Sequence, residues 1–565
     1  MSSLHQDWVD AFATTARLAD VEGTLLAGQD LRTVLRAAAC RLQCVATKDG
    51  VQGKLLVLDP SGVADAVAMM AGIATSVVRV GNASAPERAA ADIDQWVPDL
   101  VIGTAQVTSH VPQVTSQSLL VTAAPDRQFT DESECVAPHG RIELRTSGST
   151  GEPKLVPLRW DQLACSAQSV ATSLGLKPAD VTLVVMPLGH VHGLVASLLA
   201  PLVSGGTTVC APGFDASAIP TWFDRHGITW MSAVPTMLRQ LLTLSEQTGW
   251  MPEQQLRFLR SASSVLSVSL LHQLEDRFQC PVVEAYGMTE ASHQICSGTP
   301  MDRLPGSVGR ASGPQVRVVD TNRSEVQPGQ PGEVEIRGHS VTSGYLGHPA
   351  RSDDEWLPTG DIGWTDAYGR LWLQGRRKEV INRGGETIAP RDVDDALCRI
   401  EGVSDAIAFA VPDEYLGEVV GAVVVLNAHA PTERDIRHAM LSWVDHRHVP
   451  VALVEADAIP TGRTGKPDRE VARAVWSEAR SGSELDVVPS AAADVLDAVR
   501  RGWRTVLGME TGDRVNFLAV GGDSLRAMEL VSRLTDAGLQ LTIVDVASAR
   551  TIAAQASLAT ALRAI

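Results

Sequence analysis

The sequence lacks several features that would indicate a nucleic acid, a membrane or the secretory pathway. It has no excess of positive charge, because 48 lysines and arginines stand against 66 aspartates and glutamates, for a formal net charge of −18. That balance argues against nonspecific binding to nucleic acid or to an anionic membrane surface. No run reaches the roughly 18 apolar residues of a membrane helix. The first twenty residues have neither a basic n-region nor an apolar h-region, so no signal peptide is predicted.

The eight cysteines contain no CxxC pair, which argues against a disulfide scaffold and against a zinc site. Scattered reduced thiols in a cytoplasmic protein are the better interpretation. The apolar fraction of 44% and the charged fraction of 20% are ordinary for a globular chain. With 565 residues, the chain is long enough for more than one domain.

The most informative segment is RTSGSTGEPK, residues 145–154. Its glycines allow the backbone to turn tightly, so that successive N–H groups can cradle an anion. Ser147, Ser149 and Thr150 add hydroxyl donors. Lys154 adds a cation. The segment before it alternates like a strand and the segment after it has helical periodicity. We favour a polyphosphate cradle over a flexible surface linker, although the spacing is not that of a Walker A loop.

The pattern of elements predicts an α/β protein with several parts. Strands alternate with helices through the first half, which is typical of a parallel sheet. Short alternating strands with Gly-rich turns after residue 305 predict a β-barrel-like subdomain, and a small α+β unit follows. A Ser/Pro/Ala-rich stretch then indicates a linker before a helical end. The predicted boundaries are 1–375 for a large N-terminal subdomain, 376–480 for a small mobile C-terminal subdomain, 481–492 for the linker and 493–565 for an all-α four-helix bundle.

Five motifs occur in one order: TSGSTGEPK, AYGMTE, PTGD, GRRKEVINRGGE and PTGRTGKPDR. In this order they resemble the adenylate-forming superfamily, which includes acyl-CoA synthetases, luciferases and the adenylation domains of nonribosomal peptide synthetases. Near the end, FLAVGGDSLRAMEL resembles the 4′-phosphopantetheine attachment site of a carrier protein. The resemblance implies an AMP-forming acid–thiol ligase with ATP, Mg²⁺ and covalent 4′-phosphopantetheine as cofactors.

The resemblance also implies a role for individual residues. Attack of a carboxylate on the α-phosphorus of ATP brings two anions together, so the site needs positive charge and aimed dipoles. Lys466 matches the lysine that bridges the α-phosphate and the carboxylate. Glu290 matches the magnesium-binding carboxylate, and Thr289 an α-phosphate contact. The remaining residues implied to bind ATP or AMP are Thr146, Ser147, Gly148, Ser149, Thr150, Gly151, Lys154, Tyr286 (adenine), Gly287, Asp361 (ribose) and Arg376.

Further positions concern transfer of the acyl group. Lys378 matches the hinge between the large and small subdomains, and Gly384 with Gly385 matches the loop that lets the pantetheine arm pass. Asn382 stands where many relatives carry lysine. Ser524 follows glycines at a predicted helix start, where a helix cap is the simpler explanation and phosphopantetheine attachment the one the motif favours. The implied partners are a phosphopantetheinyl transferase and a downstream carrier-dependent biosynthetic enzyme.

The identity of the acid depends on other positions. Amino-acid-activating relatives usually carry an aspartate where this chain has Val191, so an α-amino acid is disfavoured. MPLGHVHGL, SASS and EAYGMTEASHQI look most like oxalate–CoA ligases and related small-acid ligases. His192, Ser263, Ser264 and His293 could hold a second carboxylate or a polar head. A small polar or dicarboxylic acid therefore ranks ahead of a short aliphatic or aryl acid, with packing beside the nucleotide as the alternative role of the histidines.

Three functions compete at this point. The first is a self-loading enzyme that adenylates an acid and transfers it to its own carrier. The second is a free acyl-CoA ligase. The third is a non-catalytic carrier-docking protein, against which the joint presence of Glu290, Asp361 and Lys466 argues.

Overall fold

The structure is a computed structural model that describes most of the chain. The described residues are 12, 14–23, 25–46, 54–58, 60, 63–81, 98, 100–102, 113–114, 140–146, 154–383, 386–413, 416–427, 431–461, 467–481, 493–522 and 524–563. The chain divides into two compact units, Met1–Thr359 with Gly363–Leu373, and Gly360–Ile362 with Gln374–Ile565. No helix within the described ranges is long and apolar enough to span a bilayer.

The first unit contains a six-stranded sheet. Its strand order is Gln113–Val114, Leu100–Ile102, Lys54–Leu58, Val77–Gly81, Arg141–Arg145 and Leu155–Arg159. The last pair is antiparallel and the others are parallel. Near-continuous apolar runs such as KLLVL are typical of parallel strands that are covered on both faces. The strands predicted at KLLVLD, SVVRV, DLVIG and RIELR are confirmed.

A nine-stranded sheet forms the rest of this framework. Its strand order is Arg310–Ala311, His293–Ser297, Val282–Met288, Phe258–Ser261, Trp230–Ala233, Val181–Val184, Thr207–Cys210, Arg17–Asp20 and Leu25–Ala27. The six strands from Val282–Met288 to Arg17–Asp20 are parallel, and the edge strands are antiparallel. Because the carboxyl ends of parallel strands meet at one edge of a sheet, this edge is where an α/β fold places its ligand site.

Helices cover both sheets, and two hydrophobic clusters form between the helices and the strands. The α-helices of this unit are Gly28–Ala46, Val63–Thr75, Trp160–Leu174, Ala200–Val203, Ile219–His226, Pro235–Thr248 and Val268–Phe278. The helix Trp160–Leu174 buries Leu163, Ala167 and Val170 at helical spacing. It ends at Gly175, whose φ of 56° is the left-handed conformation that favours glycine. The helix predicted from WDQLACSAQSVATSLGL is therefore confirmed.

The predicted apolar segment after GHVHG differs from an ordinary α-helix. His192–Leu199 is a π-helix, and all eight of its residues are buried. Gly193 is required near its start, because a Cβ there would lie 2.3 Å from the carbonyl oxygen of Pro187. π-helical segments occur preferentially at functional sites. His192 is thus the first residue of an irregular buried helix.

Where a β-barrel-like subdomain was expected, the chain forms a four-stranded sheet. Its strand order is Gln315–Val319, Gly332–Arg337, Leu357–Thr365 and Leu371–Arg376. Three-residue 3₁₀-helices occur at Thr289–Ala291, His446–His448 and Leu518–Val520. Glu335 is buried in this sheet and is paired with Arg317 and Arg323 at 2.6 Å and 2.7 Å.

The second unit begins with a small α+β part. Its five-stranded sheet contains Glu386–Ile388, Ile381–Arg383, Gly417–Leu426, Val403–Asp413 and Leu453–Glu455, and its helices are Pro390–Cys398, Glu433–Met440 and Arg469–Ser481. The last helix extends into the first residue of the predicted linker, and 482–492 lie outside the described residues.

Four α-helices complete the second unit, as predicted for a carrier bundle. They are Ala493–Leu507, Ser524–Asp536, Ile543–Ser548 and Ile552–Arg563. Trp503 is fully buried between them, stacks edge-on against Phe517, and donates from Nε1 to Gln555 Oε1 at 2.8 Å. Satisfying the indole N–H in this way allows the large ring to fill the core without an unpaired donor.

Candidate functional site

Glu290 is held in place by a distant segment of the chain. It lies in the 3₁₀ turn after the strand Val282–Met288, and only 7% of it is exposed. The Tyr345 hydroxyl donates to Glu290 Oε1 at 2.9 Å, and the Thr342 N–H donates to the Glu290 carbonyl at 2.7 Å. Because both the backbone and the side chain of Glu290 accept hydrogen bonds, its carboxylate is oriented before any ligand binds.

The two ends of the RTSGSTGEPK loop reach the same place. Thr146 N–H donates to the Lys154 carbonyl at 2.9 Å, which closes the loop at the ends of two antiparallel strands. Lys154 Nζ lies 4.6 Å from the centre of the Tyr345 ring, within the range of a cation–π contact. The chain thus brings Lys154, Tyr345 and Glu290 together.

Tyr345 is a site residue that the sequence reasoning missed. Burial raises the pKa of its phenol above the ordinary value, and the neighbouring Glu290 carboxylate raises it further. The phenol therefore stays protonated and acts as a hydrogen-bond donor. Its signal in the sequence is weak, because it lies 55 residues after Glu290 in a segment, VTSGYLG, that matches none of the five motifs.

Tyr286 and Gly287 precede this turn. Tyr286 is 9% exposed and packs in a hydrophobic cluster with Ile295 and Val334, so its role toward adenine stays a prediction. Position 287 requires glycine for a steric reason, because a Cβ at Gly287 would lie 1.7 Å from the His293 carbonyl oxygen. The β-bulge between Tyr286 and Gly287 creates this close approach. Thr289 is half-buried in the same turn.

Asp361 and Arg376 lie together in the second unit. Arg376 Nε is 3.4 Å from Asp361 Oδ1, with the Arg376 side chain 55% exposed and that of Asp361 12% exposed. Lys378 is exposed in the turn after the strand Leu371–Arg376. The ribose and hinge roles of these residues stay predictions.

Several predicted residues lie outside the described part of the chain. Ser524 begins the helix Ser524–Asp536, but its side chain is not among the described ones. The residues on which the structure gives no information are Ser147, Gly148, Ser149, Thr150, Gly151, Gly384, Gly385 and Lys466.

A second group of polar side chains is buried around His192. His192 Nε2 lies 2.7 Å from Ser232 Oγ, and its Nδ1 lies 3.0 Å from Ser263 Oγ. The rings of His192 and His293 stack with centroids 5.3 Å apart. Three of the four predicted substrate residues are therefore in one cluster. The fourth, Ser264, is half-buried, and its side chain makes no hydrogen bond to another described residue.

Arg260 lies in the middle of this cluster, and sequence reasoning missed it. Its strand register puts it directly opposite Ser232, whose Oγ accepts from Nη1 at 2.9 Å. Nη2 donates to His293 Nε2 at 3.0 Å and to Gln294 Oε1 at 3.1 Å. A guanidinium can only donate, so His293 Nε2 is the acceptor and this imidazole carries its proton on Nδ1. Burial lowers the pKa of Arg260 to about 9, which leaves it cationic at neutral pH.

The residues present fit a magnesium ion of the nucleotide-bound kind. No group of three or more His, Cys, Asp or Glu side chains in the described ranges could hold a metal by itself. Mg²⁺ usually takes one or two protein carboxylates and completes its shell with phosphate oxygens and water. The preoriented Glu290 carboxylate could supply that single protein ligand.

In the carrier module, the helix that begins at Ser524 buries Ala527, Leu530 and Leu534. Met528 is 46% exposed. Gly522 approaches the Phe517 ring so closely that a Cβ would lie 2.3 Å from it.

Comparison with known protein families agrees with this geometry. The model of the AMP-binding enzyme family matches residues 54–346, more than half of the chain. The chain belongs to the AMP-binding enzyme family. The AMP-binding enzyme C-terminal domain matches residues 392–466, and the phosphopantetheine attachment site matches residues 497–559, which include Ser524. The resemblance to adenylate-forming enzymes with a carrier module is confirmed.

Named relatives of this AMP-binding enzyme include ligases of small acids. It is 38% identical to an oxalate–CoA ligase of Saccharomyces cerevisiae over 58% of this chain and 62% of that protein. It is 40% identical to a sulfoacetate–CoA ligase of Cupriavidus necator over 58% of this chain and 65% of that protein. The chain thus spans less than two thirds of the length of these relatives.

A solved structure shares the fold over nearly the whole chain. The structure of McyG A-PCP complexed with phenylalanyl-adenylate covers 99% of each chain with a TM-score of 0.71 at 17% identity. At that identity the likeness shows the fold alone. The predicted α/β fold class with a helical carrier at the end is confirmed.

Proposed function

We propose that this protein activates a small carboxylic acid with ATP and transfers the acyl group to 4′-phosphopantetheine on Ser524 of its own carrier module. The observation that carries the proposal is the union, in one chain, of an AMP-binding enzyme, its C-terminal domain and a phosphopantetheine attachment site. An adenylating module joined to a carrier loads a thiol that is always nearby, because a short linker gives a high effective concentration.

In the first half-reaction, a carboxylate oxygen bonds to the α-phosphorus of ATP and the bond to the pyrophosphate oxygen breaks. The loop of residues 146–154 holds the β- and γ-phosphates, and Glu290 holds the magnesium ion that offsets their charge. The hydrogen bond from Tyr345 supports that role by fixing the carboxylate. Asp361 binds the ribose hydroxyls and Lys466 bridges the reacting groups.

In the second half-reaction, the pantetheine thiol bonds to the acyl carbon and AMP leaves. Lys378 is the hinge at which the small subdomain turns, and Gly384 with Gly385 lets the arm pass. A phosphopantetheinyl transferase installs the arm beforehand, and a downstream carrier-dependent biosynthetic enzyme in the cytoplasm takes the thioester.

The acid is a small polar or dicarboxylic one. Support comes from the relatives named for oxalate and sulfoacetate, which both carry a second acidic group beside the reacting carboxylate. The cluster around His192, Ser263 and His293 supports the same class, since hydroxyls and imidazoles suit a polar acid better than a fatty chain.

The experiment compares acyl loading of the intact holo-protein with that of the Ser524→Ala variant. ATP–pyrophosphate exchange with a panel of small acids identifies the substrate, and intact mass then reports the acyl group on the chain. We expect exchange in both proteins and acylated protein in the wild type alone. Acylation of the Ser524→Ala variant, or no exchange with any acid, would refute the proposal.

The second candidate is release of free acyl-CoA, which the CoA-ligase names of the relatives favour. Coenzyme A added to the same assay separates the two functions. Rapid formation of acyl-CoA without acylation of the holo-protein would establish this second candidate instead.

A further inference from the structure

Arg260 is a fully buried cation with no anionic partner among the described residues. It is 0% exposed, and its three hydrogen bonds all go to neutral acceptors on Ser232, His293 and Gln294. Nε has no hydrogen-bond partner in the described part of the chain. Since a guanidinium has five N–H groups, donors remain available to a ligand.

Other buried ion pairs in this chain show how unusual that is. The Glu143 carboxylate is buried between Arg79 and Arg141 at 2.8 Å and 2.7 Å. Arg469 Nη2 lies 2.7 Å from Asp394 Oδ2. Removing a charge from water without a counter-charge is strongly unfavourable, so buried charges are normally paired. Among the described residues, Arg260 differs from these arginines in having no carboxylate beside it.

The surroundings of Arg260 are strained as well as polar. Ser263 has a φ of 73°, Ser292 a φ of 54° and His293 a φ of 107°. Non-glycine residues seldom adopt these values, and such strain is concentrated at ligand and catalytic sites. Two of the three strained residues, Ser263 and His293, are hydrogen-bonded in the same cluster as Arg260.

The cluster also leads from Arg260 toward solvent. Ser232 connects the guanidinium to His192, and His192 connects to Ser263, which is half-buried at the end of the strand Phe258–Ser261. This is the carboxyl end of the parallel strands, where α/β folds bind ligands. The same edge carries the turn that holds Glu290.

We propose that Arg260 determines substrate specificity by binding the second anionic group, a carboxylate or a sulfonate, of the acid that the enzyme activates. This inference rests on the proposed function. The second anionic group of the substrate supplies the counter-charge that Arg260 lacks among the described residues. His192 and His293 line the space around that group. An acid of the same shape whose second group is neutral leaves the guanidinium unpaired and is rejected.

The test measures ATP–pyrophosphate exchange by the full-length protein with three pairs of acids of matched shape. The pairs are oxalate with oxamate, malonate with malonamate, and sulfoacetate with methylsulfonylacetate. We expect one dianionic acid to be exchanged at least about 30-fold faster than its monoanionic partner, as for a buried charge pair. The pair with the largest ratio distinguishes a carboxylate from a sulfonate.

Two variants assign that preference to Arg260. Arg260→Met should reduce exchange of the dianionic acid at least about 30-fold and leave exchange of its monoanionic partner unchanged. Arg260→Lys should keep part of the preference. Arg337→Gln is the matched control, because Arg337 also donates to a neutral acceptor, Gln315, outside the cluster. Thermal unfolding of each variant verifies that it folds. If Arg260→Met does not fold, the exchange ratios of the wild type and of Arg260→Lys decide the test.

Distinct results overturn distinct claims. Equal exchange of both members of every pair by the wild type refutes the inference and leaves the proposed function standing. Equal losses for both members in Arg260→Met also refute it, because Arg260 would then serve the shared nucleotide step. No exchange with any acid refutes the proposed function itself.

Discussion

The proposed nucleotide side and the proposed acid side of this protein are built in different ways. Around Glu290, most of the proposed residues come from contiguous motifs, and one distant tyrosine completes them. Around Arg260, the residues come from separate strands and a π-helix, with Ser232 and Arg260 opposite each other by strand register. The first kind of site is visible in a sequence, whereas the second depends on topology. We therefore expect a substitution near Glu290 to lower exchange equally for every acid. A substitution near Arg260 should lower exchange for some acids more than for others.

The largest expected effect is on the nucleotide side. Glu290→Gln keeps an acceptor for Tyr345 but removes the metal-binding charge, so exchange should fall about 10²- to 10³-fold. The decrease should be the same for every acid that the wild type accepts, with an unchanged melting temperature. A loss confined to one acid would place Glu290 on the acid side and break the comparison.

Gly287 lies beside both the Glu290 turn and His293, so a substitution there should impair both sides. Gly287→Ala puts a Cβ 1.7 Å from the His293 carbonyl oxygen, so the hairpin that carries His293 must shift. We expect a decrease in the free energy of unfolding of about 1–3 kcal/mol, together with lower exchange for every acid. Denaturant unfolding measures it. Gly298→Ala is the control, because its nearest contact is an ordinary 3.4 Å to Arg303 Cβ; equal stability of the two variants would contradict the prediction.

Tyr345→Phe tests whether the hydrogen bond from Tyr345 to the Glu290 carboxylate contributes to metal binding. The variant loses the donor to Glu290 Oε1 and keeps the ring beside Lys154. Because partners of metal ligands tune metal binding, the Mg²⁺ concentration for half-maximal exchange should rise about tenfold. The KM for the acid should not change. A change in the acid KM without a change in Mg²⁺ dependence would assign Tyr345 to substrate binding.

The smallest effect is expected at the outer end of the acid side. Ser263→Ala removes the partner of His192 Nδ1, which lies 3.0 Å away. We expect the KM for the acid to rise about threefold while the KM for ATP stays the same, since one hydrogen bond to a neutral group is lost. A matching rise in both KM values would remove the distinction between the two sides at this residue.

Most of the fold followed from the sequence because its elements are locally encoded. Leu163, Ala167 and Val170 recur at helical spacing, and Gly175 ends their helix. The π-helical form of His192–Leu199 was not predictable, because an apolar run of this length fits an α-helix equally well.

The candidate site divides in the same manner. Glu290 and Lys154 were found because motifs surround them. Arg260 had one available signal, a single arginine inside the otherwise apolar start of the strand sequence FLRS. That signal becomes informative only when Ser232 and His293 are known to be its neighbours and no carboxylate is. Pairing of a buried charge is a property of the tertiary structure.

The segment Thr342–Leu346 has a consequence for synthesis of the chain. Its N–H groups and side chains join Glu290 to the strand after the phosphate loop, through Thr342 to Pro157 and Leu346 to Leu155. During translation, domains fold as their residues emerge. A nascent chain that stops before Thr342 can form the parallel strands but has nothing to fasten Glu290 beside Lys154. The nucleotide site is therefore completed late, by a short tether that belongs to neither motif.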